Sequence, residues 1–454
     1  MEPTRGGAFV RRWAVVRDAF RTQLWPLPTA AIVVALLLGV GLPRLDALLH
    51  EGGLAQHSSY LFDGGPESAR SVLVAIAGSL ITVTALTFSI TVLTLQLASS
   101  QFSPRLLRTF TSDRVVQGTL ALFLGTFVYS LTVLRSVRSP AAGQVGFVPQ
   151  ASVTLAFALT VISVLALVGF IAHVVREIRV DSMLRNVHDE ASRTLGASMP
   201  DEDGAEHPTA IERPPGAAHV TADRSGFVTA VDDPALLAVA KRVDACLAID
   251  RRLGESVIAG TPLGDAWSIS GTEELGEERL SELQGAVDSA ITIGFERTAA
   301  HDIAFGLRQL TDVAVKSLSP GINDPTTAIH ALSHSSALLC EAAAVNPGPL
   351  RLRDEQGRIR VVVAEPTMAD LLDLAVSQPR RYGAGDPAVL NRLFGLLAEV
   401  AWSSDLPQHR QAVADQLGRL RGTVAAQDFD EAEHALLAEA GSRVEDCLHG
   451  RWTP

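Results

Sequence analysis

The chain has 454 residues, enough for two or three domains, and 47% of them are hydrophobic, with a formal net charge of −12. Apolar residues concentrate before residue 176 and most acidic residues follow it, which predicts a membrane part and then a water-soluble part. The acidic balance excludes a general nucleic-acid binder. Three widely spaced cysteines, none in a C-x-x-C pair, indicate unpaired thiols in a reducing compartment.

Residues 1–26 predict an amphipathic segment at the inner membrane surface. Apolar side chains recur there at helical spacing between arginines, which is typical of a helix lying among lipid headgroups. A plain helical extension of the first span is the alternative. The stripe is Phe9, Trp13, Val16, Phe20 and Leu24.

Residues 27–175 predict four transmembrane helices, because four apolar runs there have no acidic or basic residue in their cores. Three of them match the ~20 residues that cross a bilayer. The first is short and closes at Pro43, so it either extends past that proline or crosses a thinned bilayer. No small-x-small cleavage site follows it, which argues against a signal peptide. The runs are Leu27–Leu42, Ser71–Ala98, Val115–Leu134 and Ala151–Ala172.

Arginine placement predicts that the N- and C-termini both lie in the cytoplasm, since inner loops carry the excess of positive charge. Only Arg44, Arg70, Arg135 and Arg138 flank the runs on the other side. The inner side has eleven: Arg5, Arg11, Arg12, Arg17, Arg21, Arg105, Arg108, Arg114, Arg176, Arg179 and Arg185.

The second run carries a stripe of hydroxyls, since Thr84, Thr87, Thr91 and Thr94 share one helix face. Two interpretations remain open. The run is the central packing helix of the bundle, with hydroxyls bonding between helices, or it lines a pore at the axis of a homo-oligomer. Thr82, Ser89 and Gln96 occupy roughly the opposite face.

Arg105 and Arg108 follow this run in a short amphipathic elbow that Ser103 and Pro104 begin. We expect the two arginines to anchor the elbow at the inner surface. Contact with lipid phosphates or with the cytoplasmic part is the alternative.

The cytoplasmic part is predicted to be mainly helical α+β. Residues 176–223 read as a helical exit and flexible linker, residues 224–270 as a small β-rich module, and residues 271–454 as mainly helical. A hairpin is expected over Leu350–Val363, and Thr367 with Asp370 predicts a capping box.

A turn-rich stretch between two predicted helices is the first candidate ligand or subunit contact. In Ser319–Ala328, proline and glycine end one helix, Gly321 permitting positive φ, and Asp324 caps the next. A rigid corner is one interpretation; a small anion or polar ligand held there is the other. Arg380 and Arg381 precede a second such helix start, so the candidate residues are Asn323, Asp324, Arg380 and Arg381.

No catalytic residue, metal site or cofactor is predicted. His330 and His334 lie one helical turn apart, but the glutamate of an H-E-x-x-H motif is missing. Nucleotide-binding and hydrolase motifs are also missing, so we expect a protein that is not an enzyme.

Three motifs in order, "LASSQFSPRLL", "SPGINDPTTA" and "YGAGDP", resemble a family of bacterial predicted membrane proteins, domain of unknown function 2254. The resemblance covers nearly the whole chain. It implies a multi-pass protein of the bacterial inner membrane with a cytoplasmic C-terminal region, and it supplies no catalytic residues.

The leading functional hypothesis is an oligomeric channel or transport-like protein with a cytoplasmic regulatory domain. The alternative is a non-conducting membrane scaffold or sensor. The expected partners are the lipid bilayer, further copies of the chain and an unidentified small ion or anion, with no nucleic acid.

Overall fold

The structure is a computed structural model that describes residues 23–51, 62–101, 113–139, 146–177, 179–197, 213–270, 275–295 and 302–452. These residues form thirteen helices and eight strands. The chain divides into two compact units, Met1–Arg179 and Val180–Pro454. The predicted amphipathic stripe (apart from Leu24), Arg105 and Arg108 lie outside the described residues.

Four helices of the first unit are long and apolar enough to cross a membrane. The first continues through Pro43 to Glu51, which settles the open question about its length in favour of extension past the proline. The helices are α1 (Pro26–Glu51), α2 (Pro66–Gln101), α3 (Arg114–Leu134) and α4 (Gln150–Glu177).

The third span is the central helix of this unit, and the interpretation that gave this place to the second span is wrong. Helix α3 contacts α1, α2 and α4. Half of its apolar stretch is buried, against 33% for α2. Glycines permit close approach: a Cβ built on Gly39 of α1 would lie 2.7 Å from Thr132 Cβ, and one on Gly125 of α3 3.6 Å from Ala31 Cβ. Ala31 and Gly39 of α1 contact Gly125 and Thr132 of α3 in the same order along the two helices. Helices α1 and α3 therefore run parallel.

Polar side chains tie the helices of this unit together near their ends. The Asp46 carboxylate of α1 accepts from the Ser152 backbone N–H (3.0 Å) and hydroxyl (2.8 Å) of α4. Tyr129 of α3 donates to the Ser152 carbonyl. Elsewhere Asp113 caps α3 at Val115 N and lies 2.5 Å from His173 Nε2. These hydrogen bonds pair polar groups that would cost free energy if they were left unpaired in an apolar environment.

The second unit begins with α5 (Val180–Ala197), the predicted helical exit. Two antiparallel-rich sheets follow, with strand orders β1-β5-β3-β8-β7 and β4-β2-β6. Their strands are β1 (Ala218–Thr221), β2 (Gly226–Val231), β3 (Ala245–Ile249), β4 (Ser256–Val257), β5 (Pro262–Ser268), β6 (Ile291–Gly294), β7 (Leu350–Arg353) and β8 (Ile359–Val363).

The larger sheet assembles strands from distant parts of the chain. Strand β3 pairs antiparallel with β5 and parallel with β8, Leu247 facing Val361. The expected hairpin is confirmed as β7–β8. Strands β1 and β6 were not predicted, and with the hairpin they extend the sheets beyond residues 224–270. Helices α6 (Asp233–Arg242) and α7 (Glu277–Ala290) complete one apolar core around Leu236, Leu247 and Leu283.

The remaining helices form a layered bundle in which α8 contacts α5, α9 and α10, and α11 contacts α9, α12 and α13. The predicted Thr367–Asp370 capping box is confirmed at the start of α10. The helices are α8 (Ile303–Ser317), α9 (Pro325–Val345), α10 (Met368–Tyr382), α11 (Pro387–Trp402), α12 (Pro407–Ala425) and α13 (Glu431–Leu448).

Candidate functional site

The threonine stripe of α2 is buried inside its own unit. Thr84, Thr87, Thr91 and Thr94 are all at most 9% exposed. Three of them donate to the carbonyl four residues earlier, at 2.6–2.9 Å. The Thr87 hydroxyl has no partner among the described residues. This placement is that of helix packing, whereas a pore-lining side chain must face open space.

The opposite face of α2 is both polar and exposed in the single chain. Thr82, Ser89 and Gln96 lie there with the small residues Ala75, Gly78 and Ala85, and the exposed side chains of Leu86 and Leu93 border them. From Ala75 to Ser89 the spacing alternates between three and four, and Gln96 follows seven residues later, a pattern typical of one face of a packing helix. The exposed face of α4, in contrast, is apolar. The α2 face comprises Ala75, Gly78, Thr82, Ala85, Ser89 and Gln96; that of α4 includes Phe157, Val161, Ile162, Leu165 and Val168.

The turn-rich corner between α8 and α9 is held by its own side chains. Asp324 accepts from Thr327 N (3.1 Å) and from the Thr327 hydroxyl (2.6 Å), which lowers the pKa of its carboxyl. The left-handed residue is Asn323, with φ of 51°, and the expectation of positive φ at Gly321 is wrong. Asparagine tolerates this region because its short polar side chain bonds locally.

The corner and the second turn-rich motif lie next to each other, but their candidate side chains diverge. A Cβ built on Gly383 would lie 3.3 Å from Leu318 Cδ1 of the corner. Arg380 instead donates to the Thr423 hydroxyl of α12 at 2.5 Å. Arg380 and Arg381 both line a cavity.

This arginine cavity has a volume of about 450 Å³. A third arginine, Arg419 of α12, lines it with Thr423 and Gln427. Sequence reasoning missed Arg419 because no local motif links it to α10; only the packing of α10 on α12 brings the three together. The cavity lies at the C-terminal ends of both helices.

A second cavity, of about 650 Å³, is lined by paired charges and two tryptophans. Arg392 and Glu399 form a two-point ion pair at 2.8 and 2.9 Å, and Glu399 also accepts from Ser336. The rings of Trp402 and Trp452 are 5.6 Å apart at the rim. Because the charged groups satisfy each other, they leave few donors for a ligand.

Carboxylates gather where the β-rich and helical parts of the second unit join. Burial raises the pKa of Glu365 to about 7, assisted by the charges of Asp233 and Asp302, while Arg252 opposes the shift. Arg252 also pairs with Asp370 at 3.0 Å. Among the described residues, no group of three or more His, Cys, Asp or Glu is arranged to hold a metal ion.

Comparison with known proteins agrees with the four apolar spans and the three motifs. The family described as "Predicted membrane protein (DUF2254)" matches residues 21–399. The chain belongs to this family. The DUF2254 match takes in all four spans and ends within α11, before the helix that supplies Arg419.

Similar proteins occur in mycobacteria. An uncharacterized protein of Mycobacterium bovis is 34% identical over 456 residues, covering 97% of this chain and 84% of its own length. An uncharacterized protein of Mycobacterium tuberculosis has the same identity and coverage. No solved structure matches the chain. Membership therefore establishes a predicted membrane protein and assigns no reaction.

Proposed function

We propose that this DUF2254 protein is an oligomeric channel or transport-like protein of the bacterial inner membrane, with both termini in the cytoplasm and the second unit as a regulatory domain. The observation that supports it is the exposed polar face of α2, around Thr82, Ser89 and Gln96. The pathway is assigned to this face, because the threonine stripe is buried.

A second copy of the chain is the best occupant for this face. Small residues let two helix backbones approach closely, and polar side chains then bond across the interface or to water. The Thr82 hydroxyl already donates to the Gly78 carbonyl at 3.0 Å. The Gln96 carboxamide has no such internal partner among the described residues, so a neighbouring α2 or a water-filled path would satisfy it.

Cysteine crosslinking tests the assembly. In a variant with Cys246, Cys340 and Cys447 replaced by alanine, Ser89→Cys is expected to form disulfides between copies in native membranes. Ile162→Cys, half exposed on α4, is the matched control and should form few. Equal crosslinking of the two positions would contradict the assigned interface.

Ion flux then tests conduction. In liposomes containing the purified protein, Ser89→Leu is expected to reduce flux strongly, since it fills the interface, whereas Val161→Leu on α4 leaves it unchanged. An intact oligomer that passes no ion would refute the channel.

The candidate corner of Asn323 and Asp324 stays a proposed subunit contact of the regulatory domain.

A non-conducting scaffold or sensor is the second candidate. The burial of one polar stripe favours it, because these side chains pack within one chain and do not line a pathway. The stripe consists of Thr84, Thr87, Thr91 and Thr94. Under this alternative, the α2 face still assembles copies. The liposomes would then show no flux for the wild-type protein, while Ser89→Cys still crosslinks.

A further inference from the structure

We infer that the arginine cavity binds the phosphate group of a small phosphate-bearing anion. Three guanidinium groups line it, from Arg380, Arg381 and Arg419. Among the described residues, one carboxylate pairs with them, that of Asp373, 2.8 Å from Arg419 Nη1. Two positive charges therefore remain in excess, in a chain whose formal net charge is −12.

The arginines that line the cavity have unused hydrogen-bond donors. Arg380 Nε is buried without a partner among the described residues, although its Nη1 donates to Thr423. A buried donor left unpaired costs ~1–3 kcal/mol, so such a group calls for an acceptor. Arg381 is exposed and forms no hydrogen bond or ion pair with the part of the chain that the structure describes.

Helix stabilisation accounts for only part of this cluster. Arg380 and Arg381 lie in the last turn of α10, where positive charge offsets the helix dipole. Arg419 does not, because α12 continues to Ala425 and has no basic residue in its last turn. Arg419 pairs with Asp373 and still lines the cavity, so an anion bound there would meet three guanidinium groups.

Size and charge select the class of ligand. The cavity is open to the surface, and its volume of about 450 Å³ is enough to admit a small molecule. A phosphate monoester carries about −1.5 to −2 charges near pH 7 and offers three acceptor oxygens, which matches the excess charge and the fork geometry of arginine. The phosphate could belong to a soluble ester or to a lipid headgroup. The site is independent of whether the membrane unit conducts.

Calorimetric titration tests the site with full-length protein in dodecyl maltoside, which carries no phosphate. Inorganic phosphate is the probe, and we expect Arg381→Gln to weaken its binding about tenfold. Arg381 has no partner in the described structure, so its replacement should not disturb folding. Arg242→Gln, an exposed arginine that pairs with Glu282, is the matched control and should bind like the wild type.

A second arm identifies the source of the phosphate. Protein in nanodiscs of phosphatidylcholine is compared with protein in nanodiscs that also contain phosphatidic acid, by thermal unfolding of the second unit. Stabilisation by phosphatidic acid that Arg381→Gln abolishes supports a lipid headgroup; phosphate binding in detergent without any stabilisation by phosphatidic acid supports a soluble ester. Absence of both effects, or equal losses in Arg381→Gln and Arg242→Gln, would overturn the inference.

Discussion

Replacing Thr87 by valine should stabilise the membrane unit, an unusual result for a fully buried position. The side chain is 0% exposed and its hydroxyl has no hydrogen-bond partner among the described residues. Valine has nearly the same shape but no polar atom to bury. Removing an unsatisfied hydroxyl recovers a desolvation cost of ~1–3 kcal/mol in water-based scales. The unfolded chain also stays in lipid, where its hydroxyl is not hydrated either. We therefore expect the free energy of unfolding to rise by only about 1 kcal/mol.

Thr91→Val is the matched comparison on the same face. Its hydroxyl donates to the Thr87 carbonyl at 2.9 Å. Hydrogen bonds between membrane helices are worth on average ~0.6 kcal/mol, and we expect the loss of this bond within one helix to cost at most about that much. The two variants should therefore move the free energy of unfolding in opposite directions, although the substitutions are chemically identical and one helical turn apart.

The assay is unfolding in mixed micelles of maltoside and increasing dodecyl sulfate, read by thiol labelling. Ala156→Cys supplies a reporter at a 0% exposed site of α4, in a chain whose three native cysteines are alanine. A loss of stability greater than about 1 kcal/mol in Thr87→Val would refute the reasoning. It would mean that the hydroxyl has a partner, such as water or an ion in a path within the protomer.

Three further outcomes are expected. Gly39→Leu should destabilise the membrane unit by several kcal/mol in the same labelling assay, because an added Cβ already meets Thr132 at 2.7 Å; Gly41→Leu, with open space, is the control. Asp324→Ala should lower the midpoint of thermal unfolding of the second unit by the equivalent of ~1 kcal/mol, while Asp324→Asn, which keeps an acceptor, loses less. Glu365→Gln should stabilise the second unit at pH 8 by at most about 3 kcal/mol and have little effect near pH 4. The sign follows because a folded pKa of about 7, above the unfolded value of 4.5, makes ionised Glu365 destabilising as pH rises between those values; a variant benefit that is equal at both pH values would contradict it.

Local signals in the sequence predicted the elements of this fold well. Long uncharged runs identified all four helices that are long and apolar enough to cross a membrane, because a span needs about 20 apolar residues in a row whatever the tertiary packing. The Asp-Pro pair at Asp324 predicted a helix start, because the side chain and the proline act on their own backbone. Such features depend on neighbours a few residues away, which sequence displays directly.

Features that depend on distant partners were missed. Strand β6 (Ile291–Gly294) is only four residues long and is stabilised by pairing with β2. The spacing of apolar residues in the sequence does not indicate this contact. The central position of α3 follows from Gly39 and Gly125, whose effect depends on which helix lies opposite. Arg419 joined Arg380 and Arg381 only through the packing of α10 on α12.

The two faces of α2 illustrate why a polar stripe in a span does not by itself locate a pathway. Periodicity separates Thr87 from Ser89 onto opposite sides, but it gives no reason to prefer one side for the neighbouring helix. The threonines suit the inside because three of them satisfy their hydroxyls on their own backbone and are buried within the unit. The opposite side combines small residues with Gln96, which has no described partner, and so still requires a polar neighbour. If another copy of the chain binds to the membrane unit, we expect it to contact the face of α2 that carries Ser89, because the polar side chains of that face need polar neighbours.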